Sequence, residues 1–377
     1  MTNLVIQGGM RIFLIILAQF FSGSIWFAAN AAFQGQGLLL SGVQAGFITG
    51  SLLFALFNLA DRFSPARLFC VSSICGGLFN SLPLVAGESW ALVFASRVLC
   101  GICLAGIYPV GMKIAASWYP HTLGRALGFL VGALVLASGF PYFIKVVAWQ
   151  GEARIILAAT SVLCILGGLI QVAWVKDGPS LPRGSAFNLN ALGKAFSHPG
   201  FRAASLGYFG HMWELYALWA FIPALLRTLV PGHADLWSFA FFFAGFLGCG
   251  LGGLASTRVG SRRIARLALA GSGICCLLSP ALGTMSPAAA LCILMVWGAA
   301  VAADSPQFSS LNARFAPRDY VGSALTLVNC MGFMITIVTI ELLDLWIRTW
   351  GIEFAFLLLA PGPLAGWICM RRMPDSV

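Results

Sequence analysis

Twelve apolar stretches follow one another along this chain, near residues 11–34, 42–60, 67–87, 90–112, 124–144, 154–175, 202–226, 237–257, 264–284, 287–311, 321–342 and 351–370. Each holds about 20 residues, enough to cross ~30 Å of hydrocarbon at ~1.5 Å per helical residue. Inside a bilayer every backbone N–H and C=O needs a partner within the protein, so a spanning segment is a helix or a strand of a closed barrel. The stretches lack the period-two alternation of barrel strands. The pattern predicts an all-α membrane protein with twelve transmembrane helices.

Basic residues fall on one side of this alternation. Termini and even-numbered connections hold 17 of them: Arg11, Arg62, Arg67, Lys113, Arg125, Lys176, Arg183, Lys194, Arg202, Arg258, Arg262, Arg263, Arg266, Arg314, Arg318, Arg371 and Arg372. Odd-numbered connections hold 4, namely Lys145, Arg154, Arg227 and Arg348, and Arg97 alone lies inside an apolar stretch. Lys and Arg accumulate in cytoplasmic loops, so both termini are expected in the cytoplasm. Composition agrees, because charged residues make up only 9% of the chain, against roughly 25% in a soluble domain. The net charge of +10 therefore reflects topology and attraction to anionic lipid, and no basic face is left for nucleic acid. The cysteines, Cys100-x-x-Cys103 included, lie mostly within spans and read as small apolar packing groups. The first stretch is too long for a signal-peptide core and no small-residue cleavage site follows it, so it reads as a retained span.

The longest connection, from Lys176 to about Phe201, contains Pro179, Pro182, Gly184 and Pro199. It divides the chain into halves at 1–176 and 201–377, with 177–200 as a cytoplasmic linker. The halves echo each other. Asp61-Arg62-Phe63-Ser64-Pro65-Ala66-Arg67 after the second span matches Thr257-Arg258-Val259-Gly260-Ser261-Arg262-Arg263 after the eighth, 196 residues later. Pro120, Gly124, Ala126 and Leu127 are matched by Pro317, Gly322, Ala324 and Leu325. Two echoes at nearly one offset predict two pseudo-symmetric six-helix bundles related by an axis along the membrane normal.

These turns make the chain resemble the major facilitator superfamily (MFS) over essentially its whole length. The family signature after the second span is Gly-x-x-x-Asp-Arg-x-Gly followed by basic residues. Here the first copy keeps Asp61, Arg62 and Arg67, with Phe57 and Ser64 in place of the glycines. The second keeps Gly253, Arg258, Gly260, Arg262 and Arg263, with Thr257 in place of the acid. Arg97, four residues before Gly101, resembles the family's membrane-embedded arginine. The Pro-Glu-Ser-Pro-Arg element of sugar porters and the nitrate signature are not found, and Gly139-Phe140-Pro141 only faintly echoes the antiporter motif. The resemblance implies a bacterial inner-membrane carrier whose Asp61, Arg62, Arg67, Arg258, Arg262 and Arg263 form a cytoplasmic gate of charge-assisted bonds.

An ionised side chain at the bilayer centre costs ~2.5–3.5 kcal/mol on insertion scales, so such residues mark function. Three stand out: Arg97 in the fourth span, Glu214 in the seventh and Asp304 in the tenth. Trp297, Asp304 and Phe308 share one helical face with Gln307 adjoining it, and Pro306 frees a carbonyl one turn earlier. An acid beside such a break suits proton binding, which assigns Asp304 as the coupling residue with Glu214 and His211 behind it. Tyr208, His211 and Glu214 step three residues at a time and can border one cavity, whereas Tyr216 falls well round that helix. Trp26, Asn30, Arg97, Tyr108, Tyr142, Tyr208 and Gln307 are the candidate solute ligands. A structural ion pair, a capped kink or helix-packing polar groups are the bland alternatives for each of these.

No glycine-rich loop ending in Lys-Ser/Thr is present to cradle ATP. Met212, Met331 and Met334 are too unevenly spaced around His211 to suggest a copper path, so no metal or cofactor is expected. The expectation is a non-enzymatic, monomeric, proton-coupled secondary transporter taking up a small polar or anionic solute. Proton-driven efflux of a drug-like compound or metabolite is the alternative, followed by a non-transporting sensor, a metal transporter and a membrane enzyme.

Overall fold

The computed structural model describes residues 2–33, 37–86, 89–148, 152–181, 187–317 and 320–373. Of the residues singled out above, Pro182, Arg183, Gly184 and Arg318 lie outside the described residues. Among the described residues every regular element is a helix. In the first half these are α1 (Thr2–Gly23), α2 (Ala28–Ala32), α3 (Gly37–Leu56), α4 (Leu59–Arg62), α5 (Pro65–Ala86), α6 (Trp90–Ala105), α7 (Tyr108–Trp118), α8 (Leu123–Val147) and α9 (Ala153–Ile170). The second half holds α10 (Ala191–Phe196), α11 (Pro199–Leu229), α12 (Ala234–Val259), α13 (Ser261–Leu278), α14 (Pro287–Ala303), α15 (Ser305–Phe315), α16 (Val321–Trp350) and α17 (Pro361–Arg371).

Nine helical stretches among the described residues are long and apolar enough to cross a membrane, which makes this a multi-pass membrane protein. The remaining three of the twelve apolar stretches fall short of that measure for separate reasons. The first is interrupted at Ser24–Phe27, and of α1 only Gly9–Gly23 counts among the residues whose side chains are described. The seventh, α11, runs for 31 residues but carries Arg202, His211, Glu214 and Arg227, which dilute its hydropathy. The last opens with a 3₁₀ turn at Ala355–Leu359 and leaves a short apolar helix.

Two helices break where two prolines stand 197 residues apart. The chain passes from α6 to α7 through Gly106 and Ile107, just before Pro109, and from α14 to α15 at Asp304, just before Pro306. Proline lacks the N–H that would continue the ladder, and its fixed φ suits the first turn of a new helix. A second feature repeats at the same interval. Gly46 on α3 and Gly101 on α6 let those backbones touch, and a methyl on either would run into a carbonyl of the other helix. Gly298 on α14 lies 197 residues beyond Gly101, and a Cβ there would stand 2.6 Å from the Phe241 carbonyl of α12. Between helices in lipid, close backbone approach replaces the hydrophobic effect as the source of attraction.

Helices of the first half pack directly on helices of the second. Along α8 and α12, Gly128 faces Gly253 and Gly139 faces Phe242. At the end of the molecule away from the termini, Lys145 Nζ lies 3.2 Å from Asp235 and Ser41 Oγ donates to Glu341 Oε1 at 2.6 Å. Below those links lies a buried aromatic layer. Trp26 stacks on Tyr216 and Phe333, with centroids 5.8 and 6.0 Å apart, and Phe27 meets Trp219 and Phe242 edge-on. Such pairs contribute ~0.5–1.5 kcal/mol each beyond their contact area.

Leucine at position 101 would force apart the backbones of α3 and α6. Gly101→Leu is expected to lower stability by ~1–3 kcal/mol, as overpacked sites do, and to reduce the melting temperature in detergent. Gly124→Ala, which meets nothing within 4 Å, is expected to leave that temperature unchanged.

Candidate functional site

The centre of the second half is built around the break between α14 and α15. Asp304 ends α14 there, and His211 reaches it from the middle of α11, Nδ1 lying 2.9 Å from Asp304 Oδ1. The imidazole's other nitrogen, Nε2, lies 2.9 Å from Ser305 Oγ. The two side chains are 2% and 1% exposed, and the His211 ring packs against Phe308 and Tyr208. The contact is an ion pair when the imidazole is protonated. A histidine and a carboxyl group in this arrangement can share one proton at no net charge, as imidazolium and carboxylate or as imidazole and acid. A second proton makes the pair cationic.

Glu214, three residues further along α11, turns away from this pair. Its Oε1 accepts a 2.6 Å hydrogen bond from Trp297 Nε1 and one from Cys276 Sγ at 3.3 Å. Ser272 is the third side chain that interacts with this carboxyl, and Oε2 is fully buried.

Arg97 does not join these acids. It is fully buried in the first half, where Nη1 donates to Asn80 Oδ1 at 2.9 Å, while Nε and Nη2 reach Ser96 Oγ at 3.2 and 3.3 Å. Asn80 Nδ2 in turn lies 2.8–3.0 Å from Leu157 O, Thr160 Oγ1 and Ser161 Oγ. The acceptors that Arg97 meets are neutral, and they tie α6 to α5 and α9. Arg97 is separated from Tyr108 by the break at Gly106 and Ile107, and Tyr108 starts a new helix, half-buried.

The remaining candidate solute ligands are divided between the halves. Trp26 belongs to the aromatic layer and Asn30 lies one turn beyond it; Trp26 Nε1 and Asn30 Nδ2 are buried without a hydrogen-bond partner. The Gln44 amide, one turn from Phe47 on α3, is buried in the same condition, and Phe47 touches Trp26. Tyr142 is buried against Phe242, with centroids 6.0 Å apart. Tyr208 is pressed against Gly332 of α16 beside His211, and Gln307 is buried on α15.

At the end bearing the termini, Asp61 pairs with Lys113 of α7, whose Nζ also donates to Ala60 O at 2.7 Å. Arg62, Arg67, Arg258 and Arg263 are exposed there, and Arg262 Nη2 donates to the Arg371 carbonyl at 3.2 Å. In the second signature turn Gly260 adopts φ +85°, a conformation side chains rarely take.

The sequence profile of the Major Facilitator Superfamily matches residues 4–340. The chain belongs to that family. Over 149 residues it is 28% identical to a Haemophilus influenzae protein described as "Putative metabolite transport protein", covering 38% of this chain and 36% of that one. Over 245 residues it is 28% identical to the "Probable sulfoacetate transporter SauU" of Cupriavidus necator, covering 55% and 54%. The chain thus matches about half the length, or less, of these relatives. In this superfamily member the two signature turns sit at the ends of α3 and α12.

Five residues of the centre escaped the sequence reading: Gln44, Asn80, Tyr216, Trp219 and Ser305. Asn80 had a signal, being a strong polar group in an apolar stretch. Tyr216 was set aside because it faces away from His211, but it faces the first half, where Trp26 and Phe27 stack on it.

Removing one member of a buried ionisable pair strands the other. His211→Leu is expected to destabilise the protein by ~3–5 kcal/mol. His211→Leu/Asp304→Leu is expected to lose less than the sum of the two single variants, read by denaturant unfolding in detergent micelles. Strict additivity would show that the pair is not coupled.

Proposed function

We propose that the chain is a secondary transporter that moves a small polar or anionic solute by alternating access, with the proton as coupling ion. In this reading its twelve transmembrane helices form two six-helix bundles, 1–176 and 201–377, joined by the linker 177–200 and rocking about a midplane site. The repeated proline breaks and glycine seams at one interval support the two-bundle reading. Both termini face the cytoplasm, the membrane is the bacterial inner membrane, and the working unit is the monomer.

The observation that carries the proton assignment is the His211–Asp304 contact at 2.9 Å, buried at a helix break. Glu214 is the second proton carrier in this scheme. Proton and solute each favour one orientation of the bundles, and by linkage each alters the other's affinity by the same factor. Lys145–Asp235 and Ser41–Glu341 hold one end closed and part when that end opens. At the other end Asp61, Arg62, Arg67, Arg258, Arg262 and Arg263 exchange partners. The buried donors of Trp26, Asn30 and Gln44, with the aromatic layer around them, are where solute oxygens bind, and Tyr108, Tyr142, Tyr208 and Gln307 complete the wall. Arg97 acts at a distance, holding α5, α6 and α9 together and biasing the interior against cations.

The name of the Cupriavidus relative makes sulfoacetate the first solute to test. In proteoliposomes, uptake of labelled sulfoacetate is expected to rise severalfold when the outside is made acidic. Asp304→Asn is expected to abolish that stimulation while solute exchange without a gradient persists and the melting temperature stays within a few degrees. Undiminished gradient-driven uptake by Asp304→Asn would remove Asp304 from the coupling role, and labelled solute leaving preloaded vesicles against its gradient would assign export.

A further inference from the structure

At the end of the bundle that carries the termini, α13, α15 and α17 border a cavity of about 700 Å³. Four arginines line it: Arg262, Arg263 and Arg266 from α13, and Arg314 from α15. Arg262 donates to the Arg371 carbonyl and Arg314 lies over the Phe315 ring. Arg263 and Arg266 stand three residues apart on α13, a spacing at which like charges repel.

The backbone adds to this field. α13 begins at Ser261, on the cavity wall, and its N-cap position is Gly260, which offers no side chain to cap the first turn. Free N–H groups and the positive end of an 18-residue helix therefore point at the same space as the guanidinium groups. The hydroxyl-bearing Ser261 and Ser310 are also on the wall. Arg266 Nε is buried without a hydrogen-bond partner, and its guanidinium lies 5.3 Å from the Trp367 ring centroid. Together these groups form a site for a compact, multiply accepting oxyanion.

The cavity wall changes character toward the membrane. Leu267 and Ala270 line it, and Leu267 starts an outward stripe on α13 that continues through Ile274 and Leu278, which are 62%, 56% and 40% exposed. On the neighbouring α17, Leu364 and Ile368 are exposed as well. A soluble anion has no use for that apolar track. An acyl chain does, and Trp367 stands at the level where indole rings favour the membrane interface.

We propose that this cavity binds a phosphate group presented by an anionic phospholipid of the adjoining leaflet, its headgroup among Arg263, Arg266 and the α13 N-terminus and its acyl chains along Leu267 and Ile274. The site lies within the second half alone, so it stands apart from the solute path. A lipid there braces the second signature turn, because Arg262 and Arg263 belong to both.

The test uses full-length protein freed of native lipid in detergent, titrated with phosphatidylglycerol, phosphatidylcholine or inorganic phosphate, with binding read by native mass spectrometry and by the melting temperature. Phosphatidylglycerol is expected to bind and stabilise the wild type, at least tenfold more tightly than phosphatidylcholine. Arg263→Gln/Arg266→Gln is expected to weaken that binding at least tenfold, whereas Arg67→Gln/Arg125→Gln, which alters exposed arginines elsewhere, leaves it unchanged. The single variant Arg263→Gln serves if the double variant does not fold, with an expected loss of at least threefold. Equal binding of the two lipids, or unaltered binding by the cavity variants, would overturn the site. Inorganic phosphate that matches phosphatidylglycerol and displaces it would overturn the lipid as the ligand.

Discussion

Hydrocarbon offers no hydrogen bonds, so each polar group that enters a membrane-spanning chain must find its partner inside the protein or remain at a cost. Most of the architecture follows from how the buried polar side chains meet that demand. Arg97, Asn80, Ser96, Thr160 and Ser161 answer it with a network of neutral acceptors that joins α5, α6 and α9. His211 and Asp304 answer it by pairing across α11 and the α14–α15 break. Glu214 answers it through Trp297, Cys276 and Ser272. The first-half centre holds an arginine among neutral acceptors, and the second-half centre holds a histidine beside a carboxyl.

The breaks in α6–α7 and α14–α15 gain their meaning from the same demand. A helix interrupted before a proline leaves carbonyls for side chains or solute to use, and in lipid such an interruption survives only where protein or water lies against it. One break carries Asp304 and Ser305, whereas the matching one carries Ile107 and Tyr108. The two halves therefore share a backbone device but load it with different chemistry. Glycines at Gly46, Gly101, Gly245 and Gly298 allow the neighbouring helices to close tightly around both breaks.

Much of this was legible before any coordinates. Hydropathy and the one-sided arginines and lysines disclosed the membrane class, and the signature turns around Asp61 and Gly260 disclosed the family. Helix period put His211 on one face with Tyr208 and Glu214 and put Asp304 on another with Trp297 and Phe308, but it held no sign that His211 and Asp304 lie 2.9 Å apart. The partners of Arg97 were not legible. A helical wheel shows which face a side chain occupies but not which neighbour covers that face, and α5 rather than α14 covers this one. Tyr216 was missed for a related reason: a residue opposite His211 can still be central when a second bundle packs on its side of α11. Ser24–Phe27, which follows α1, has no proline to announce it; its one signal was Ser22-Gly23-Ser24, and a lone glycine in an apolar stretch is also compatible with an unbroken helix.

The central claim is that His211 and Asp304 form a buried pair that takes up and releases a proton. Infrared difference spectroscopy on detergent-solubilised protein, recorded as the pH is lowered from about 9 to about 5, the range where histidines and perturbed carboxyls titrate, measures it directly. The account predicts a protonated-carboxyl C=O band that grows on acidification, shifts with ¹³C-labelled aspartate and is missing from Asp304→Asn. A carboxyl region that stays constant over that range, or one that Asp304→Asn leaves unchanged, would contradict it.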